Sequence, residues 1–150
     1  MAETYLLSGE RRRALGAGER LEAILLNLAR RIPTVRGSAV ADRNGLPIAS
    51  KLPIQVNTLV VTAMSTLAVR SCSDVLTNLN LNRREGATGP GGDLVSVLMI
   101  PERGELMAIV KSLAGGTASL LVVLDQRTDI GLLQRELASV AQEVERVLQG

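Results

Sequence analysis

The stretch VNTLVVTAMSTLAVRSCSDVLTNLNL, Val56 to Leu81, decides how the rest of the chain is read. Its apolar residues recur at helical spacing, over a length of about seven turns. Val61, Met64, Ala68, Cys72, Val75, Leu76 and Leu79 form one apolar sector, and Val56, Leu59, Val60, Ala63 and Leu67 form a second beside it. Thr62, Thr66, Arg70, Ser73 and Thr77 leave only a narrow polar strip. A helix with so much apolar surface needs two partners, the body of its own domain and something further. A membrane fits poorly, because Thr58, Thr62, Ser65, Thr66, Arg70, Ser71, Ser73 and Asp74 interrupt every candidate span. No stable membrane insertion is expected; a second protein is.

Upstream, the Asn44-Gly45 pair lies between two short apolar runs, which is a hairpin signature with predicted strands at 36–42 and 46–51. Pro47 cannot donate to a ladder, so the second strand belongs at a sheet edge. Gly37 and Ala39 keep one face of the first strand small enough for a helix to approach. Before the hairpin, Leu21, Ile24, Leu25, Leu28 and Ile32 repeat at three and four, predicting a helix from Glu19, with Gly18 as N-cap and Pro33 as stop. Residues 1–18 read as a flexible N-terminal extension, and 19–150 as one domain.

Downstream, 82–92 is a loop rich in Gly and charge. It opens onto a strand and carries no Lys, so it lacks what a phosphate-cradling loop needs. Three strands follow, at 93–100, 105–113 and 118–124, joined by turns containing Gly104, Gly115 and Gly116. Leu94, Val95, Ser96, Val97, Leu98, Met99 and Ile100 are nearly all apolar, with no Pro or Lys to discourage pairing. At an edge, that strand is a template for another chain. Thr128 or Asp129 then caps a last helix, whose stripe of Ile130, Leu133, Leu137, Val140, Val144 and Val147 runs to the C terminus.

Composition removes several functions. The 150 residues include no Phe, no Trp and only Tyr5 as an aromatic, so base stacking has no platform and nucleic acid is not an expected partner. With no His, Ser-His triads and His-containing metal sites are excluded. The single Cys72 makes neither an internal disulfide nor a thiolate cluster; it is expected to be a buried, inert thiol in a reducing compartment, the cytoplasm. Net charge is only +2, and the run Arg11-Arg12-Arg13 reads as a solvated flank. Asp42, Asp125 and Asp129 lie near strand ends, where turn formation and helix capping account for them without catalysis. No cofactor, metal site or catalytic residue is expected, and the chain is read as a non-enzyme.

In the order helix, two strands, helix, three strands, helix, the chain resembles the Roadblock family, which includes dynein light chains and bacterial and archaeal regulators of Ras-like GTPases. The resemblance is carried by Ile32-Pro33-Thr34-Val35-Arg36-Gly37, by the hairpin Asp42-Arg43-Asn44-Gly45-Leu46-Pro47-Ile48-Ala49-Ser50, and by Asp129-Ile130-Gly131-Leu132-Leu133. It implies an α+β fold, with a five-stranded antiparallel sheet covered by the second helix on one face and by the first and third on the other. It also implies a homodimer, in which third strands pair into a continuous ten-stranded sheet and second helices pack together. By residue, the shared strand would be Leu94 to Ile100, and the helix contacts Val56, Leu59, Val60, Ala63 and Leu67. The function implied is a dimeric scaffold that binds a small Ras-like GTPase and modulates its nucleotide cycle or localisation, with Arg43, Arg83 and Arg84 as partner-facing residues. The alternative is a nucleotide-independent adaptor subunit of the dynein-light-chain kind. A small-molecule sensor is disfavoured by the lack of aromatic and His residues to line its pocket.

Overall fold

A computed structural model describes residues 9–79 and 96–150, with side chains from Gly16 onward in the first helix. The elements are α1 (Gly9–Arg31), β1 (Val35–Asp42), β2 (Pro47–Ser50), α2 (Thr58–Asn78), β3 (Ser96–Met99), β4 (Leu106–Leu113), β5 (Ala118–Asp125) and α3 (Ile130–Gln149), with a short 3-10 turn at Ala114–Gly116. All strands are antiparallel, in the order β2-β1-β5-β4-β3. The expected α+β architecture is therefore present. Both expected edge strands are at edges, β2 with its Pro47 and β3 with its apolar run.

One layer of the core lies between the sheet and the pair α1 and α3. Leu21, Leu25 and Leu28 of α1 meet Leu133, Leu137, Val140 and Val144 of α3 over Val40, Ile109, Leu120, Val122 and Leu124 of the strands. The three-and-four spacing of the helices and the alternation of the strands put these residues on facing surfaces. Asp129 caps α3, its carboxylate accepting from Leu132 N at 3.1 Å. Asn57 caps α2 in the same way, accepting from Val60 N at 3.2 Å, so that helix begins at Thr58.

Helix α1 departs from expectation at its start. It begins at Gly9, so Gly18 lies inside it and is not its N-cap. A Cβ at Gly18 would make an ordinary contact with Ile48 O at 3.7 Å, where α1 passes β2. Gly37 also has a different neighbour from the one expected: a Cβ there would meet Leu52 and the Lys51 carbonyl, whereas Ala39 and Ala41 supply the small buried surface facing α2.

The hairpin turn is held by Asp42. Its Oδ1 accepts from Asn44 N at 2.8 Å and from Leu46 N at 3.0 Å, while Gly45 takes a φ of 84°. Glycine is required there twice over. Its φ is left-handed, and a Cβ would stand 2.8 Å from the Ala63 Cα, so the turn is wedged against α2.

Candidate interaction surface

Helix α2 lies on the sheet the opposite way from an ordinary amphipathic helix. Its buried residues are Thr62, Ser65 and Thr66, while Leu59, Val60, Met64, Leu67 and Val75 are exposed. Leu67 keeps 60% of its surface in solvent and Met64 keeps 64%. Neither apolar sector supplies the buried face of α2. Thr62 and Thr66 of the polar strip do, together with Ser65, while Arg70 and Thr77 of that strip stay exposed.

Buried hydroxyls are tolerated because each bonds within its own helix. Thr62 donates to Thr58 O at 3.0 Å, Ser65 to Val61 O at 2.8 Å, and Thr66 to Thr62 O at 3.0 Å. That pattern leaves none of these donors unpaired and presents only methyl and methylene surface to the sheet. Across from it, Gly45, Ala39 and Ala41 are small, and α2 settles close. The helix is long and apolar enough to cross a membrane by length and composition, with a mean hydropathy of 1.4. In this fold it is a layer on a sheet, and its apolar residues form an uncovered ridge.

Beside that ridge runs the open edge of β3. Ser96 to Met99 pair with β4 on one side, and no described strand pairs on the other. Val97 and Met99 fall opposite Val110 and Ala108, on the α2 side of the sheet; Ser96 and Leu98 fall on the α3 side, where Gln134 Nε2 donates to Ser96 Oγ at 3.4 Å. Leu98, Met99 and Ile100 are exposed, and Met99, Ile100, Pro101 and Leu106 line an apolar groove of about 600 Å³ at the strand's end. Cys72 is half-buried, in contrast to the expected buried thiol, and sits with Val75, Leu76 and Val97 in a second apolar hollow between α2 and β3.

The structure brings most of the expected interface residues together. Leu59, Val60 and Leu67 are on the exposed ridge; Val56 is half-buried just before α2; Ala63 is half-buried against the Gly45 turn of its own chain. Met64 and Val75 belong to the ridge as well, although apolar spacing alone assigns them to the other sector. The signal for them is the i, i+3, i+4 placement of Thr62, Ser65 and Thr66, which marks a face as clearly as leucines do. Leu94, Val95, Arg83 and Arg84 lie outside the described residues. Arg43 is exposed on the hairpin turn, and its carbonyl accepts from Arg70 Nη2.

The three carboxylates near strand ends are held in turns and caps. Asp42 and Asp129 act as described above. Asp125 is buried where β5 ends, and its carboxylate accepts from Arg127 Nη2 at 2.7 Å, Arg127 Nε at 3.0 Å and Arg127 N at 2.8 Å. Those bonds from the Arg127 side chain and then its backbone outweigh burial, and the positive charges of Arg127 and Arg36 add to them. Asp125 is thereby held well below the usual carboxylate range. Among the described residues, no three His, Cys, Asp or Glu side chains gather as metal ligands.

This is a three-layer α+β domain, one sheet between a lone helix and a helix pair. The fold is that of Roadblock domains. MglB of Myxococcus xanthus is similar over 87% of this chain and 89% of its own, at 15% identity and a TM-score of 0.70. A Roadblock/LC7 domain from Streptomyces avermitilis is similar over 86% and 98%, at 16% identity and a TM-score of 0.71. The gliding protein MglB of Thermus thermophilus is similar over 87% and 90%, at 15% identity and a TM-score of 0.67. No family profile and no curated protein matches the sequence.

Proposed function

We propose that two copies of this chain form a Roadblock-type homodimer, which binds a small Ras-like GTPase and modulates its nucleotide cycle or its placement in the cell. One observation carries the reading: α2 turns its hydroxyls to the sheet and its apolar side chains outward, beside an edge strand that no described strand covers. An exposed apolar ridge next to an open edge is a partner surface. A second copy satisfies both at once, because a twofold axis sets like surfaces against each other. Joined through β3, two five-stranded sheets become one of ten strands, with the two α2 helices adjacent on one face. Val56, Leu59, Val60, Ala63 and Leu67 remain the helix contacts, joined by Met64, and Ser96 to Ile100 form the strand contacts.

The GTPase comes from the Roadblock resemblance, and the fold likeness to MglB and to Roadblock/LC7 domains supports it. Arg43, exposed on the hairpin turn, is the described residue we assign to face such a partner. The reading assigns the chain no catalytic residue of its own. A regulator of this kind acts by positioning groups the GTPase already has.

The test is a capture experiment from the source organism's lysate with the tagged chain, run in parallel with GDP and a non-hydrolysable GTP analogue. Enrichment of a Ras-like GTPase in one nucleotide state is the expected result. Recovery of the same complex subunits in both states, with no GTPase among them, would replace this reading with the nucleotide-independent adaptor.

A further inference from the structure

We propose that the cleft between the hairpin turn, the flank of α2 and the Ala114–Gly116 turn binds a small tetrahedral oxyanion of phosphate or sulfate size. The site goes beyond the dimer and GTPase reading and does not depend on it. Asp42, Arg43, Arg70, Ser112 and Ser119 line the cleft. They come from β1, the hairpin turn, α2, β4 and β5, which only the fold brings together.

Size selects the ligand class. The cavity is about 120 Å³. At the liquid's share of roughly 30 Å³ each, that holds about four waters. Ligands as large as a nucleotide need pockets of about 300 Å³ or more. One small anion with its remaining water fits.

Charge points the same way. Two arginines and one carboxylate line the cleft, and Oδ1 of that carboxylate already accepts from Asn44 N and Leu46 N in the turn. Arg70 is anchored through Nη2 to the Arg43 carbonyl. An Arg side chain has five N–H donors, so most of Arg70's remain for an acceptor in the cleft. The Arg43 side chain makes no ion pair or hydrogen bond among the described residues. Two such groups at one cleft repel a metal ion and attract an anion.

Ser119 supplies the independent sign of a ligand. It is only 5% exposed, yet its hydroxyl has no hydrogen-bond partner among the described residues. Thr62, Ser65 and Thr66, the hydroxyls buried on α2, are all bonded within their helix. Ser119 lies directly across the β4–β5 pair from Ser112, so two hydroxyls stand side by side in the cleft wall. The Ser119 oxygen is not sealed in the core, since no fully buried side-chain oxygen among the described residues lacks a partner; it opens onto the cleft, where a ligand can reach it. An oxyanion would accept from both serines and both arginines, completing what the protein leaves open.

The test is an amide NMR titration of the full chain with inorganic phosphate in Tris chloride, ionic strength being held constant with chloride. Saturable shifts at Gly115, Gly116, Ser112 and Ser119, with a Kd of about 1 mM or tighter, are expected. Arg70→Gln and Arg43→Gln should each weaken binding by about tenfold. Arg43→Gln is the deciding variant, since its side chain supports nothing in the fold. Ser119→Ala should weaken binding by about threefold without lowering the melting temperature, because it removes a hydroxyl that has no partner in the protein. Parallel titrations with sulfate and with phenyl phosphate separate a free anion from an esterified one, and saturation by any of the three supports the site. No saturation by any of them, shifts reproduced by chloride alone, or wild-type affinity in Arg43→Gln would overturn it.

Discussion

Leu67→Asp tests the dimer surface with an effect that can be worked out in advance. Leu67 keeps 60% of its surface exposed in the single chain. Burying a whole leucine side chain is worth about 1.5–3 kcal/mol, so the exposed part holds about 1–2 kcal/mol for a partner to recover. A twofold axis counts the loss twice, about 2–4 kcal/mol per dimer. The new carboxylate would also be desolvated on association, which adds to the loss. The dimer dissociation constant should therefore rise by at least about thirtyfold, and up to about a thousandfold. Sedimentation velocity over a concentration series reads this directly. Leu132→Asp is the control, because Leu132 is similarly exposed but sits on α3, across the sheet; its dissociation constant should match wild type. Equal dissociation constants for Leu67→Asp and wild type would refute the assignment of the α2 ridge to the interface.

Three further outcomes follow from local geometry. Gly45→Ala forces a side chain into a left-handed φ and against the Ala63 backbone, and should cost about 2 kcal/mol or more in denaturant unfolding; a loss below half of that would mean the turn is not wedged on α2. Thr66→Val keeps shape and removes only a hydroxyl bonded within α2, so its cost should stay within about 1 kcal/mol, whereas Thr66→Leu should cost about 1–3 kcal/mol by overpacking beside Gly45. Equal costs would show that the helix does not sit as close as described. For Asp125, whose folded pKa is depressed, the stabilisation is full above the unfolded value of about 3.9 and is lost as pH falls through the folded value. Asp125→Asn should therefore be less stable than wild type at neutral pH, with the gap closing in acid; a gap that is constant with pH would mean that its ion pairing contributes nothing.

Much of this fold is legible in the sequence because local chemistry and tertiary packing agree. Asp42 and Gly45 make the hairpin wherever it is placed, Asp129 caps its helix, and Pro47 belongs only at an edge. Two features mislead for identifiable reasons. Gly9, Gly16 and Gly18 look like helix breakers, yet all three lie within α1, because a glycine lowers helix propensity by only about 1 kcal/mol and tertiary packing of the apolar face overrides it. The apolar residues of α2 suggest the buried face of a monomer's helix, but its buried face is hydroxyl-bearing because Gly45, Ala39 and Ala41 leave room for a close approach. The cleft at Arg43, Arg70 and Ser119 is invisible in the sequence for another reason. Its residues are far apart in the chain, and an unpartnered hydroxyl is a property of the folded surroundings.

The claim beneath the functional reading is that the α2 ridge and the β3 edge are one self-complementary surface. Hydrogen–deuterium exchange of wild type and Leu67→Asp, at a concentration where only the wild type is dimeric, tests it most directly. The account predicts that the β3 amides not bonded to β4 exchange slowly in wild type and at the rate of an open edge in the variant. Fast exchange of those amides in a wild-type dimer would contradict it, since the copies would then be meeting somewhere else.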